Sequence, residues 1–393
     1  MMKNIHRNSE RGATALFIVI FSILLMSTIT ISFMSLMVKE QQRSTNDELS
    51  QSAYDSALAG VEDAKRAIVT SKGSGVIAEQ AKNAIAASQL PNGCQEIGKQ
   101  VNSITAAVNE IPIQSSTSKD GAELNQAYTC LKVNNLTDNF QAFAEEDSVT
   151  MVPLRMAGQI NQLRISWQRA REVPNTSYSL GVTTPLLTHS SWRQLNYPAL
   201  LRLQTITPER NFSLDDFDDE RTSSSIFLYP AETGATTSSG VAMPQRAGSM
   251  STPNKPEPVA CISGSGLAVA ENLNSFLCSV TIDLNRSVQS ASDISYLVIK
   301  PLYRETSVQI EGLMNGRLVQ FDGAQPTVDS TGRANALFRR VEARLTLGGE
   351  GESGSSLGGV IPQYALDVDG SVCKNFFVSS TTSGVFGAPA CSP

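Results

Sequence analysis

Histidine is almost missing from this chain of 393 residues: only His6 and His189 carry an imidazole. An enzyme built on it would have to draw its acid–base chemistry from His189 or from carboxylates. Tryptophan is equally scarce, with Trp167 and Trp192 alone, and charged residues make up 17% of the chain where about a quarter is usual. No two cysteines show the Cys-x2-Cys spacing of a zinc site, and no internal repeat appears. A basic excess is absent too. With a net charge of -6 and a pI near 5.2, the surface as a whole lacks the positive footprint that phosphate binding needs, which leaves room only for a local patch. What the chain has in plenty is Ser, Thr, Gly and Asn beside 41% hydrophobic residues, a bias that fits a β-rich, surface-exposed protein. Single cores usually stop growing at about 250 to 300 residues, so 393 residues suffice for two folded units.

The six cysteines fall into three neighbouring twos. Loop closure favours near partners, so the expected bridges join Cys94 with Cys130, Cys261 with Cys278, and Cys373 with Cys391. Disulfides persist in oxidising compartments, which places the bulk of the chain outside the cytoplasm. The alternative is six buried thiols, since cysteine also behaves as a small hydrophobe.

From Ala13 to Val38 there are 26 residues without a charge, and a helix of that length covers ~39 Å, enough to span a bilayer. Lys3, Arg7 and Arg11 precede it against Glu10 alone, so the short leader is expected to stay cytoplasmic and the rest to lie outside. The apolar core is too long for a secretory signal peptide. Seven of the 26 residues are Ser or Thr, as in helices that pack on other helices. After Lys39 the positions Leu49, Ala53, Ala57, Gly60 with Val61, Ala64 and Ile68 recur at spacings of four and three. They make one narrow apolar stripe, and nothing breaks the pattern before Lys72-Gly-Ser-Gly75. A single rod of ~85 Å from Ala13 to Val69 is predicted, half in the membrane and half docked on a head. A second helical piece runs from about Val76 to Leu90.

These features together carry a resemblance. A basic leader ending in Arg11-Gly12, an uncharged helix opening "ATALFIVIF", and an amphipathic continuation into "QSAYDSALAGVEDAKRAI" resemble the amino terminus of type IV pilins. Within that family the chain is most similar to minor, tip-associated pilins and to the large pseudopilin of type II secretion. The resemblance covers about the first 70 residues. It implies cleavage by a prepilin peptidase between Gly12 and Ala13, partners among other pilin subunits and the pilus assembly machinery, and assembly through helix residues including Leu16, Phe17 and Phe21. Major pilins usually carry Phe first and Glu fifth in the mature chain. Here those positions hold Ala13 and Phe17, which points away from a major structural pilin. The alternative outside the family is a signal-anchored extracellular binding protein.

After residue 120, period-two alternation prevails. "NQLRISW" places Leu163, Ile165 and Trp167 on one side of a strand, and "ALLRLQTI", "SIFLYP", "LCSVTIDL" and "ISYLVIKPLY" are further β-rich runs. A short helix is expected only near "GRANALFRR". Residues 230–258 are rich in Pro, Gly, Ser and Thr and read as a mobile linker between a first head region, 94–229, and a second, 259–393. The predicted architecture is α+β: a leader (1–12), an amino-terminal helical part (13–90, with 13–38 in the membrane), and a disulfide-braced β-rich head of two lobes.

Chemistry in the head is sparsely signalled. Gly354-Ser-Ser-Leu-Gly358 matches Gly-x-Ser-x-Gly in form, but it sits in a glycine-serine run rather than between a strand and a helix. The clusters Asp215, Asp216, Asp218, Asp219, Glu220 and Asp367, Asp369 invite calcium, yet neither shows a full ligand loop, so no cofactor is expected and a solvated charged turn is the simpler reading. The main local bias lies between Pro153 and Arg210. Arg155, Arg164, Arg169, Arg171, Arg193, Arg202 and Arg210 face only Glu172 and Glu209 there, and Trp167, Trp192, Tyr178 and Tyr197 lie among them. Arginine with aromatics is the chemistry of single-strand DNA contact and of glycan or anionic surface binding. The plainer reading makes the arginines outward strand positions and the tryptophans core. The expectation is thus a non-enzymatic minor subunit, held in the cell membrane before assembly and displayed on a pilus afterwards, its head free for adhesion.

Overall fold

The computed structural model describes residues 10–113, 125–172, 187–207, 222–232, 241–243, 257–262, 275–288 and 295–346. They fall into two compact units, one drawn from residues 1–133 and 328–343, the other from 134–327 and 344–393. Helices α1 (Glu10–Ser71), α2 (Val76–Ser88) and α3 (Glu96–Val101) come first. Then follow β1 (Ile111–Pro112), β2 (Gln126–Thr137), β3 (Phe140–Ala144), β4 (Thr150–Pro153) and β5 (Ile160–Arg169). A 3-10 turn (Ala170–Glu172) and α4 (His189–Gln194) lead to β6 (Leu200–Ile206), β7 (Ser223–Glu232), β8 (Val241–Ala242) and β9 (Glu257–Cys261). The last described strands are β10 (Phe276–Val288), β11 (Tyr296–Leu302), β12 (Thr306–Met314), β13 (Arg317–Val319), β14 (Phe321–Ala334) and β15 (Leu337–Arg344).

In the first unit α1 runs unbroken for 62 residues because it contains no proline and, Gly12 apart, only Gly60 to weaken it. Its apolar half is long enough to cross a membrane: an 18-residue window has mean hydropathy 2.5, and none of it is buried. Its second half buries the stripe that the sequence marks out. Ala53, Ala57 and Ala64 are wholly buried, with Val61 and Ile68 nearly so. Helices α2 and α3 pack back on α1. The small residues matter because they let β14 approach the helix backbone. A Cβ added at Gly332 would overlap the carbonyl oxygen of Ala53 and the amide nitrogen of Ala57, and one at Gly60 would overlap the Ser330 hydroxyl. Strands β1, β2, β14 and β15 form a four-stranded sheet in that order. The expected bridge Cys94–Cys130 is formed and ties the segment before α3 to β2; such links typically contribute about 2–4 kcal/mol.

The short helix expected at "GRANALFRR" is not there. Those residues are the close of β14, a turn and the start of β15, with Asn335 in the left-handed region at φ 50°. Asparagine tolerates that conformation, and pairing with a distant strand overrides the helix preference of Ala and Leu.

The second unit holds an eleven-stranded sheet with the path β13-β12-β5-β10-β9-β7-β6-β11-β4, where β3 also pairs with β12 and β8 with β10. Pairing is antiparallel except for β7 with β9 and β8 with β10. Residues from both ends of that path, such as Val308 and Ile310 of β12 and Val152 of β4, enter one hydrophobic core with Trp167, Leu203, Ile226 and Ile282. The sheet therefore folds over its own interior. The second bridge, Cys261–Cys278, links directly paired positions of β9 and β10. Strands from before and after residues 230–258 lie side by side, β5 against β10, so the two expected head regions share a single sheet. The stretch read as a linker contains the end of β7, all of β8 and the start of β9 among its described residues.

Candidate functional site

On α1, Gly12 and Ala13 lie in the first turns of the helix. Leu16, Phe17 and Phe21 are exposed, Phe17 by 74%. Five hydroxyls in this apolar segment turn back on their own helix. Ser22 donates to the Ile18 carbonyl (2.6 Å), Ser27 to Leu24 (2.9 Å), Thr28 to Leu25 (2.9 Å), Thr30 to Met26 (2.8 Å) and Ser32 to Thr28 (2.8 Å). Each polar group is thereby satisfied without water, the condition that hydrocarbon imposes.

Between Pro153 and Arg210 the structure separates the arginines from the tryptophans. Trp167 and Trp192 are both fully buried, and their indole N–H groups donate to the carbonyls of Ala199 and Pro198, each at 2.9 Å. Neither ring can stack on a base without opening the core, so the reading of these two residues as a contact platform is corrected. Tyr197 is likewise buried and packs edge-on to Trp192. Arg164 pairs with Glu311 at 3.0 Å, and Arg193 lies 3.3 Å from Glu146 and 3.5 Å from Glu305. Arg169 donates to Gln141 at 3.1 Å and lies over the Phe276 ring. Arg155, Arg171 and Arg202 are exposed. Tyr178 and Arg210 lie outside the described residues, as do Cys373 and Cys391, both acidic clusters and the Gly354–Gly358 run.

His189 opens α4, where its Nε2 lies 2.6 Å from Glu146 Oε1. The ring leans on Tyr303, which in turn contacts Trp192. Glu146 thus gathers His189 and Arg193 from one short helix and fixes it to the turn between β3 and β4. Nearby, the Glu172 carboxylate accepts from the backbone N–H of Arg169 (3.1 Å) and Ser307 (3.3 Å), from the Gln168 amide (3.2 Å) and from the Ser307 hydroxyl. Among the described residues no group of three His, Cys, Asp or Glu side chains is placed to hold a metal ion. A cavity lined by Thr205 of β6, Ser224 of β7, Arg286 of β10 and the neighbouring Thr222 has a volume of about 40 Å³. That is room for about one water, far below the ~300 Å³ at which ligand clefts begin.

Sequence reasoning missed the Glu146 and Glu172 clusters, whose members come together only through sheet register. It also missed Asp63 in the first unit, buried to 8% exposure, which accepts from the Tyr128 phenol (2.7 Å) and the Asn102 amide (2.9 Å) and lies 3.5 Å from Arg66. Comparison with protein-family models, with curated proteins and with solved structures finds no match to this chain.

Proposed function

We propose that the chain is a non-enzymatic subunit of a type IV pilus-like filament. It is stored in the membrane, cut after Gly12, assembled through α1, and placed at low copy at the tip or in the initiating complex. One observation carries this reading: a single uninterrupted helix whose apolar first half is wholly exposed and whose second half is buried along a narrow stripe in a β-rich head. A helix used only as a tether has no reason to continue without a break into the core of the domain it tethers. The same continuity suits a subunit whose helix must be drawn out of the bilayer with the head attached.

The test is Gly12→Val in the native host. A bulkier residue before the scissile bond blocks the peptidase in this reading, so the variant should run longer on a gel and stay in the membrane fraction. Mobility and fractionation identical to wild type would favour the simple signal anchor.

A further inference from the structure

Four neighbouring strands of the second unit, β3, β12, β5 and β10, send alternate residues to the core. Phe140, Val308, Ile310, Leu163, Ile165, Cys278 and Val280 face inward. The residues between them point away from that core, most of them half-buried, Ser279 exposed and Ser166 only 8% exposed, and register aligns them into rows across the strands. Gln141, Gln309, Ser166 and Ser279 form one row of directly paired positions. Glu311, Arg164 and Thr281 form the next, and Gln162 pairs with Asp283 beyond it. Within the rows the side chains bond to one another. Gln141 Nε2 donates to Gln309 Oε1 at 3.1 Å, Ser166 and Ser279 share a bond of 2.9 Å, Arg164 meets Glu311 at 3.0 Å, and Gln162 donates to Asp283 at 2.6 Å. Aromatic rings stand beside this array: Phe143, 59% exposed and paired with Ser307, and Phe276 beneath Arg169.

We propose that this outward face binds a neutral, polyhydroxylated chain, that is, a glycan. Charge decides against a polyanion: Arg164 and Arg169 are offset by Glu311 and Asp283, so the face has no net charge to attract phosphate or sulfate. Hydrogen-bond chemistry decides for hydroxyls. A sugar hydroxyl both donates and accepts, and beside the Gln309 amide N–H groups stand the exposed Ser279 hydroxyl and the half-buried Glu311 and Asp283 carboxylates, whose oxygens keep lone pairs beyond the bonds they already accept. Gln309 accepts through Oε1, which leaves the N–H groups of its Nε2 without a partner among the described residues. The polar groups are already tied to one another, so little side-chain freedom is lost when a ligand settles on them. Strands spaced about 4.8 Å apart repeat this pattern at a step close to that between sugar rings in an extended chain. An exposed phenyl face beside the array suits the weakly positive C–H face of a pyranose.

The inference stands on the second unit alone and is independent of filament assembly. The test uses the full chain in detergent micelles on an array of immobilised neutral gluco-, galacto- and manno-oligosaccharides. Dextran sulfate and a 20-base oligothymidine serve as polyanionic arms. At least one neutral glycan should be retained with an affinity that changes less than twofold between 50 and 300 mM salt. Gln309→Ala and Phe143→Ala, both at outward positions, should each weaken it at least tenfold while leaving the melting temperature within a degree of wild type. Failure to retain any neutral glycan overturns the proposal. So does retention confined to the polyanions and lost with salt, or neutral binding that both variants keep in full.

Discussion

At Asp63 a carboxylate is nearly withdrawn from water, and the Tyr128 phenol is one of the groups that keeps it tolerable. Burial first, and the adjacent carboxylate second, push the phenol well above its ordinary value. The sign follows directly. The unfolded chain releases this proton near pH 10 while the folded one holds it, so the stability linked to Tyr128 is complete below about pH 10 and is lost as pH rises further. Tyr128→Phe should cost about 1–2 kcal/mol at neutral pH, because Asp63 loses a donor, and should also flatten the decline in melting temperature between pH 9 and 11. Tyr229 and Tyr296 are raised by burial as well, so the decline is reduced rather than abolished. Parallel pH curves for variant and wild type would refute the assignment. None of this is legible in the sequence, where Asp63 is one charge in "GVEDAKRAI" and Tyr128 lies 65 residues away. The cysteines are legible at the same scale, because chain distance alone favours the Cys94–Cys130 and Cys261–Cys278 pairs that are observed. For Trp167 the composition of its neighbourhood misleads where the alternation of its own strand does not, since "NQLRISW" puts it with the core residues Leu163 and Ile165.

Among elements, α1 and β14 depend on each other through glycine. Gly332→Ala places a methyl group where the Ala53 carbonyl and Ala57 amide already stand, so the helix must shift or the strand must leave. A loss of about 1–3 kcal/mol in urea unfolding is expected. Gly158→Ala is the control: its Cβ would meet only Val319 Cγ1 at 3.5 Å, an ordinary contact, and it should be near neutral. Equal effects from the two would mean that the close approach is unimportant. The stripe on α1 is readable from spacing alone, and so are β5, β6, β7, β10 and β11, because alternation is a local signal. The β14–β15 hairpin is not readable: "ANALFRR" prefers helix locally, and the strand that holds β14 in the sheet, β2, comes from far back in the chain. The polar rows on β3, β12, β5 and β10 are hidden for the same reason, since register belongs to pairs of strands and to neither alone.

For the molecule as a whole, the exposed ring at Phe17 bears on position in the filament proposed above. A glutamate at this point would be costly among packed apolar helices unless it met a cation, and the family resemblance supplies one in the amino terminus of a neighbouring subunit. Phe17 makes no such pairing, which suits a subunit that goes in first. Deleting the gene should therefore lower pilus number more than pilus length, with immunogold label at the tips. Label spread evenly along the shaft would sink the idea, as would Phe17→Glu leaving placement and abundance unchanged. The order of residues in the first unit also sets an order in time. The stripe beginning at Ala53 is covered by a strand that carries Gly332, which is translated 279 residues later. At the usual 5–20 residues per second the ribosome needs roughly 14 to 56 s to supply it. Throughout that interval the apolar half of α1 is already made, while the strand that covers its buried stripe does not yet exist. In the membrane-stored precursor proposed above the head would mature while tethered, and the first part of the chain to be made is among the last to find its place.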